Sequence, residues 1–476
     1  MTEIRFGTDG WRGVIADDFT FDNLRVVAQA TAEHLITTGE ASSGIVVGYD
    51  TRFLSVAFSR AVAEVLAAND IPVYLTSSFV PTPVLSHAVL QREAALGVMI
   101  TASHNPARWN GFKIKLSTGA PATEDLTAKI EQLVPSVIAE SRVRQVDLGE
   151  AEQRGAIERF DPAPDYLNAI RAFVDIDAIR NAGHSVLVDS MYGAAAGWTA
   201  SALAEGSTRV RELHGERNPS FPGLRAPEPI ASNLGEFLAL LAQDEFAIGL
   251  ATDGDGDRFG LGDEYGRFVT QLQTFALLTY HLLEVRGERG AIVRSNNTTR
   301  MVDRLGEIYD CPVIETPVGF KHLSAKMTES DALIAGEESS GFGFRGHVPE
   351  RDGVLSGLYM LDCLTQTKQS PSELMAAVQE LVGTHEYARV DITMRPEERD
   401  EVRQRVADAD PTEVAGLKVL SRDEFDGFRF NLEDGWWLLL RFSGTEPLLR
   451  IYAEMPSVEQ VREAMEAGQT LAGVSL

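Results

Sequence analysis

The sequence predicts an α/β protein: three doubly wound α/β units followed by a smaller α+β unit. Three observations predict it. Short apolar runs alternate with helix-patterned segments along most of the chain, as in parallel, doubly wound sheets. Three of those runs stop in polar, Gly-rich loops, at 101–106, 252–258 and 336–341. The last hundred residues change character, to short alternating strands with few helices. At 476 residues the chain is too long for one core. The seams fall near 150, 262 and 375, giving units 1–150, 151–262, 263–375 and 376–476.

The elements follow in order. Gly7, Gly10 and Gly13 make a turn-rich opening that presents Arg12, either as a solvated arginine or as one aimed at an anion. Thr20 caps a helix with apolar spacing Leu24, Val27, Ala28, Thr31, Leu35, stopped at Gly39. Strand 45–48, helix 56–68, strand 73–75, helix 83–90 and strand 95–100 come next. A returning strand at 111–116 carries Lys113 and Lys115. The second unit has strand 185–189, a Gly/Ala-rich loop and helix at 191–204, helix 234–241 and strand 246–251. Its proline-rich stretch 218–229 reads as an extended surface loop. The third unit runs through helices 274–284 and 299–309 and strands 291–293, 313–314 and 332–335. Strands 389–393, 436–441 and 449–453 mark the fourth. The loop-ended strands of the first three units suggest a structural repeat without a sequence repeat.

Composition excludes several classes. Lysine and arginine number 43 against 70 acidic residues, a net charge of -27. That argues against nucleic acid or an anionic membrane as partner. A phosphorylated small molecule remains compatible, provided a basic site is built locally. No apolar run approaches membrane-spanning length, and residues 1–10 hold no signal-peptide core. Two cysteines, Cys311 and Cys363, give no disulfide or metal pattern and fit a reducing, cytoplasmic setting.

The chemistry gathers in the loops. Ser103 lies just past a strand's carboxyl end, where open α/β sheets place ligands, with His104 beside it and Lys113 close in sequence. Asp253, Asp255 and Asp257 alternate with glycines and call for a hard, oxygen-ligated divalent cation, since buried like charges repel. A calcium loop is the rival, and Glu264 even falls at its twelfth position. But Arg258 stands where that loop needs glycine, and the flanks read as strands; Mg²⁺ is favoured. Arg441, Ser443, Gly444 and Thr445, with Arg450 on the next strand, suit a phosphate cradle, the alternative being a hairpin turn with a surface arginine. Glu337 and Ser339 can accept from and donate to neighbouring sugar hydroxyls, although an acidic, Ser/Gly-rich loop is more often a solvated turn. Gly341, Gly343 and Gly346 mimic a dinucleotide loop, but Pro349 and charged residues follow in place of a helix.

Together the segments Thr101–Pro106 (TASHNP), 253–258 (DGDGDR), 336–341 (GEESSG) and 441–447 (RFSGTEP) resemble the α-D-phosphohexomutase family, from residue 6 to about 453. The resemblance implies four domains around a central cleft, three α/β and a smaller α+β. It implies that Ser103 is carried as phosphoserine and that Asp253, Asp255 and Asp257 bind Mg²⁺ with the Ser103 phosphoryl group. Arg12, His104, Lys113 and Arg258 match groups around the transferred phosphoryl, with Lys113 as general acid/base. Glu337 and Ser339 match the sugar readers, with Gly319, Lys321 and Arg351 on neighbouring substrate segments. Arg441, Ser443, Gly444, Thr445 and Arg450 match the site for the other phosphate. The expected activity interconverts glucose 1-phosphate and glucose 6-phosphate through glucose 1,6-bisphosphate, in a monomer or homodimer acting on hexose phosphates. The segments 316–321 and 336–339 look more like phosphoglucomutases, while Arg351 stands where a lysine is common and Ser340 where an aromatic or Gly is frequent. Mannose or glucosamine phosphates are the alternatives, and a metal-dependent phosphomonoesterase is the rival chemistry.

Overall fold

The computed structural model describes residues 4–7, 9–243, 245–443 and 448–474. Four sheets succeed one another along the chain. The first contains β1 (Trp11–Val14), β2 (Ile45–Tyr49), β3 (Val73–Thr76), β4 (Leu96–Ile100), β5 (Trp109–Leu116) and β6 (Ile157–Phe160), in the order β1-β5-β4-β2-β3-β6. The second contains β7 (Ser185–Asp189), β8 (Arg209–Leu213), β9 (Ile248–Thr252), β10 (Phe259–Gly262) and β11 (Phe268–Val269), in the order β11-β10-β9-β7-β8. The third contains β12 (Ile292–Ser295), β13 (Val313–Thr316), β14 (Ile334–Gly336) and β15 (Phe342–Phe344), in the order β13-β12-β14-β15. The fourth is antiparallel: β16 (Glu386–Thr393), β17 (Glu413–Val414), β18 (Leu417–Asp423), β19 (Phe428–Leu432), β20 (Trp437–Phe442) and β21 (Leu448–Met455), in the order β16-β21-β20-β19-β18-β17.

The first three sheets share one plan. The strand orders β3-β2-β4-β5, β8-β7-β9-β10 and β13-β12-β14-β15 superimpose as a pattern. Three parallel strands are joined by helical crossovers, and a fourth strand returns antiparallel. The reason is loop length. Helices such as Ser55–Ala68 and Thr82–Gln91 are long enough to cross over a sheet, whereas the loops after β4, β9 and β14 are too short and can only turn back. Each of these loops therefore stands at the carboxyl end of a buried parallel strand. The structural repeat inferred from the loop-ended strands is present.

The seams differ from those read in the sequence. Residue 150 falls inside helix Leu148–Gln153, and β6 pairs with β3 beyond it. The second sheet continues past 262 into β11, and helix Pro371–Val382 runs through 375. Each seam read in the sequence cuts an element or sheet that the fold keeps whole.

Burial explains how the units are held. One large apolar cluster takes in Val46 and Val84 of the first unit, Val186 and Leu250 of the second, and Ile292 and Leu358 of the third. Helix Gly353–Thr367 runs through it, with all but its last two residues buried, and is capped by the Asp352 carboxylate accepting from Leu355 N. The fourth unit has its own cluster around Leu438, Ile451 and Val461. It docks on the third largely through polar groups: Arg429 on Glu315, Arg389 on Glu338 and Thr299 on Glu454.

Candidate active site

The loops after β4, β9 and β14 meet. Ser103 is buried and adopts a left-handed backbone, φ 53°. Its amide donates to Thr101 Oγ1 at 2.8 Å, and its hydroxyl donates to Asp253 Oδ2 at 2.9 Å. The two loops pack so closely that a Cβ at Gly254 would stand 2.5 Å from the Ser103 carbonyl oxygen. His104 Nδ1 lies 3.3 Å from Ser103 Oγ. Burial, and then Arg258 and Arg12, hold its pKa well below the usual histidine range, so the ring is neutral.

Asp253, Asp255 and Asp257 are fully buried, and each offers an oxygen within 4.8 Å of the others. Their surroundings set them apart. Asp253 accepts from the Ser103 hydroxyl and, through Oδ1, from the amides of Asp257 and Arg258 at 3.0 and 3.1 Å. Burial and the two neighbouring carboxylates push its pKa well up. Asp255 Oδ2 accepts from Lys113 Nζ at 2.8 Å and from Thr82 Oγ1 at 2.7 Å. Burial alone would raise its pKa, but Lys113 outweighs burial and holds it low. Burial raises Asp257 although Arg351 opposes it.

Three buried carboxylates cost several kcal/mol each unless charge is returned to them. Asp255 Oδ1 and Asp257 Oδ1 are buried and have no hydrogen-bond donor among the described residues. An all-oxygen donor set with two uncommitted oxygens fits a hard divalent cation. The calcium-loop reading fails on two counts. Its flanks are the antiparallel strands β9 and β10, and Glu264 turns away to accept from Ser370 Oγ at 2.6 Å and from Ser372.

β5 delivers the lysines. Lys113 and Lys115 point to one face of the strand and are both buried. Lys113 Nζ reaches Asp255 Oδ2 at 2.8 Å, Asp9 Oδ2 at 2.8 Å and Asp257 Oδ2 at 3.3 Å. Burial would lower its pKa; the three carboxylates outweigh that and keep it protonated. Lys115 pairs with Glu350. Arg12, opposite Gly111 in the β1–β5 register, donates to Asn105 Oδ1 at 2.5 Å.

Arg351 ties the third loop in. Its Nη2 donates to Asp257 at 2.7 Å and Asp9 at 2.9 Å, and its Nη1 donates to Glu337 at 3.1 Å. Ser339 is half-buried in the same loop. Gly319 caps helix Phe320–Ser330 with φ 121°, and Lys321 in its first turn pairs with Glu124 of the first unit. Lys321 shares a small cavity with Asp9 and Gly10.

Of the residues expected to form a phosphate cradle, Arg441 and Arg450 lie on the fourth sheet and Ser443 just follows β20. Arg441 and Arg450 face each other across β20 and β21. Arg441 Nε donates to Asp426 Oδ1 at 3.0 Å, and Arg450 Nε lies 3.5 Å from Asp391 Oδ2. The Ser443 carbonyl accepts from Arg399 at 2.7 Å. Gly444 and Thr445 lie outside the described residues.

Four participants escaped the sequence reading. Asp9 bridges Lys113 and Arg351. Thr82 holds Asp255. Arg52 grips the Ser103 loop from beneath, and a signal for it existed: it follows β2, at a strand's carboxyl end like Ser103. Glu228 receives Arg258 Nη1 at 2.9 Å. Glu228 belongs to the proline-rich stretch expected at the surface. That stretch instead buries Phe221 and Pro227, and the Pro227 carbonyl accepts from Gly254 N at 3.1 Å.

Four family models match the chain in series. They are described as phosphoglucomutase/phosphomannomutase alpha/beta/alpha domain I, over residues 3–140, domain II, over 164–266, domain III, over 271–381, and the C-terminal domain, over 401–467. A phosphoglucomutase/phosphomannomutase of Thermococcus kodakarensis is 30% identical over 463 residues, 97% of either chain. A probable phosphoglucosamine mutase of Methanothermobacter thermautotrophicus is 31% identical over 458 residues, 96% of this chain and 95% of its own. A solved structure from Thermus thermophilus, provisionally described as a phosphomannomutase, matches with a TM-score of 0.86 at 37% identity, covering 99% of both chains.

Proposed function

The chain belongs to the phosphoglucomutase/phosphomannomutase family, and we propose that it interconverts glucose 1-phosphate and glucose 6-phosphate through a phosphorylated Ser103. The observation that carries this reading is the meeting of the Ser103 hydroxyl with Asp253 at 2.9 Å, beside a lysine shared by Asp255, Asp257 and Asp9. Phosphoryl transfer needs positioning and charge neutralisation above all, and this cluster is built for both.

In the first half-reaction the P–O bond to Ser103 Oγ breaks and a P–O bond to the free sugar hydroxyl forms, giving a 1,6-bisphosphate. After the sugar turns over, its other phosphate returns to Ser103. Lys113, held protonated by its carboxylates, supplies the proton to the leaving oxygen, and it recovers one from the attacking hydroxyl. Arg12, Arg258 and neutral His104 surround the moving group. Asp253, Asp255 and Asp257, with an oxygen of the Ser103 group, would hold Mg²⁺, which supplies charge neutralisation at the phosphoryl oxygens. Glu337 and Ser339 bond the sugar hydroxyls, with Arg351 fixing Glu337 and with Gly319 and Lys321 on the adjoining segment. Arg441, Ser443, Gly444, Thr445 and Arg450 receive the phosphate that is not transferred. That site must accept either end of the sugar, which suits arginines and not a shaped sugar pocket. The polar docking of the fourth unit suits it to closing over the substrate and excluding water, which would otherwise make the enzyme a phosphatase.

The relatives carry three sugar names between them, so the hexose is the open choice. A coupled assay with Mg²⁺ and trace glucose 1,6-bisphosphate tests it on the 1-phosphates of glucose, mannose and glucosamine. Glucose should convert fastest, with mannose close behind. Conversion of glucosamine alone would contradict the sugar assignment, and phosphate release without conversion would contradict the mutase.

A further inference from the structure

Ser103 holds a backbone conformation that a residue with a Cβ adopts reluctantly. Such strain persists only where the surroundings over-determine it. Besides the Thr101 and Asp253 contacts, the loop is held by one side chain from the end of the neighbouring strand, β2. Arg52 is fully buried behind the loop. Its Nη2 donates to the carbonyl oxygens of Ser103 at 2.5 Å and Asn105 at 2.6 Å. Its Nη1 donates to those of Pro106 at 3.0 Å and Trp109 at 3.1 Å. Four of five guanidinium N–H donors thus serve one loop, the one bearing Ser103 and His104. Nε faces Asp50 at 3.1 Å, and Asp50 is in turn held by Ser55 Oγ at 2.7 Å. On the other side the guanidinium lies over the Phe221 ring, 5.1 Å from its centroid. Arg217, just before that stretch of the second unit, donates to the Arg52 carbonyl at 3.2 Å.

We propose that Arg52 is a positioning residue for phosphoryl transfer: its planar fork curls the 103–109 loop around itself and so aims Ser103 Oγ at the Asp253 group. The inference rests on the reading of Ser103 as the phosphoryl carrier. A lysine cannot substitute, because a point charge has no rigid fork with which to serve four carbonyls at once. Phe221 ties the fork to the proline-rich stretch, which also holds Gly254 and Arg258. Arg52 thus adds to the Gly254 packing and the Ser103–Asp253 hydrogen bond that keep the serine loop and the aspartate loop in mutual register.

The test measures steady-state kinetics, labelling of Ser103 by glucose 1,6-bisphosphate, and thermal melting for wild type, Arg52→Lys, Arg52→Ala and Phe221→Leu. Arg52→Lys should melt as a folded protein and lose about 10²-fold in kcat and in labelling rate, with KM moved by no more than about threefold. Methylguanidinium should restore Arg52→Ala by at least roughly tenfold while leaving Arg52→Lys unchanged. Phe221→Leu, which leaves every Arg52 hydrogen bond in place, should lose several-fold in kcat and little in KM. It carries the test if Arg52→Ala does not fold. Wild-type kcat in folded Arg52→Lys or in Phe221→Leu, a loss confined to KM, or no rescue of a folded Arg52→Ala would overturn the role of Arg52. A wild type that neither labels nor turns over would overturn the reading of Ser103 itself.

Discussion

Asp255 accepts from both Lys113 and Thr82 through Oδ2, while its buried Oδ1 has no donor among the described residues and is left to meet a cation. Replacing its carboxylate with an amide removes charge from that donor set. Asp255→Asn is expected to raise the Mg²⁺ concentration for half-maximal activity roughly 10²-fold, read from turnover against free Mg²⁺. An unchanged titration would place the ion elsewhere. At this scale the sequence was informative wherever residues stood in a local pattern. Alternating aspartates in a glycine loop, and lysines two apart on a strand, announce a shared face. Asp9 and Arg52 have no such pattern. Their partners lie dozens to hundreds of residues away, and a buried ion pair across loops leaves no periodic mark.

The loop that turns a parallel strand back on itself is the element that recurs. In the second unit it is held against the first by contact of backbone on backbone, and Gly254 is the point of contact. Gly254→Ala would drive a methyl to 2.5 Å from the Ser103 carbonyl oxygen, and both sides are main chain, so neither yields easily. Overpacking of this kind costs about 1–3 kcal/mol. The expected result is a lower melting temperature together with a kcat loss of about 10²-fold, since Ser103 moves off its aim. Wild-type kcat would show that the loops do not depend on one another. The loops were legible because polar, Gly-rich stretches after apolar runs are distinctive. Helix Gly353–Thr367 was not, because a helix buried on every side shows no amphipathic period. The stretch 218–229 misled for the opposite reason. Its prolines signal irregular backbone, and irregular backbone is usually at the surface, yet here it lines the site.

Across the whole molecule, one apolar cluster joins the three α/β units, each of which also has a cluster of its own, and the fourth unit is docked by charges. Glu315 is the centre of that docking, accepting from Arg294 at 2.6 Å and from Arg429 at 2.6 and 2.7 Å. Burial would raise its pKa; Arg429 and Arg294 outweigh burial and hold it below the ordinary value. A depressed carboxyl pKa stabilises the folded state above the unfolded pKa, and the contribution is lost as pH falls through the folded one. Glu315→Gln is therefore expected to destabilise the protein by about 2 kcal/mol near neutral pH. The gap from wild type should close as pH falls below about 4.3, the ordinary glutamate value. Melting curves across pH check this, and a gap that does not close would contradict it. The division into three α/β units and one α+β unit followed from patterning alone, but the seams did not, because a helix or edge strand joining two units belongs to whichever core buries it.

Peptide mass mapping tests most directly whether Ser103 carries the phosphoryl group. Wild-type protein is incubated with glucose 1,6-bisphosphate and then chased with glucose 1-phosphate, with Ser103→Ala alongside. One phosphoryl group should appear on the peptide containing Ser103, leave in the chase as newly formed bisphosphate, and be absent from Ser103→Ala, which should also have lost turnover while still binding bisphosphate. Label on another residue, or Ser103→Ala turning over at the wild-type rate, would contradict it.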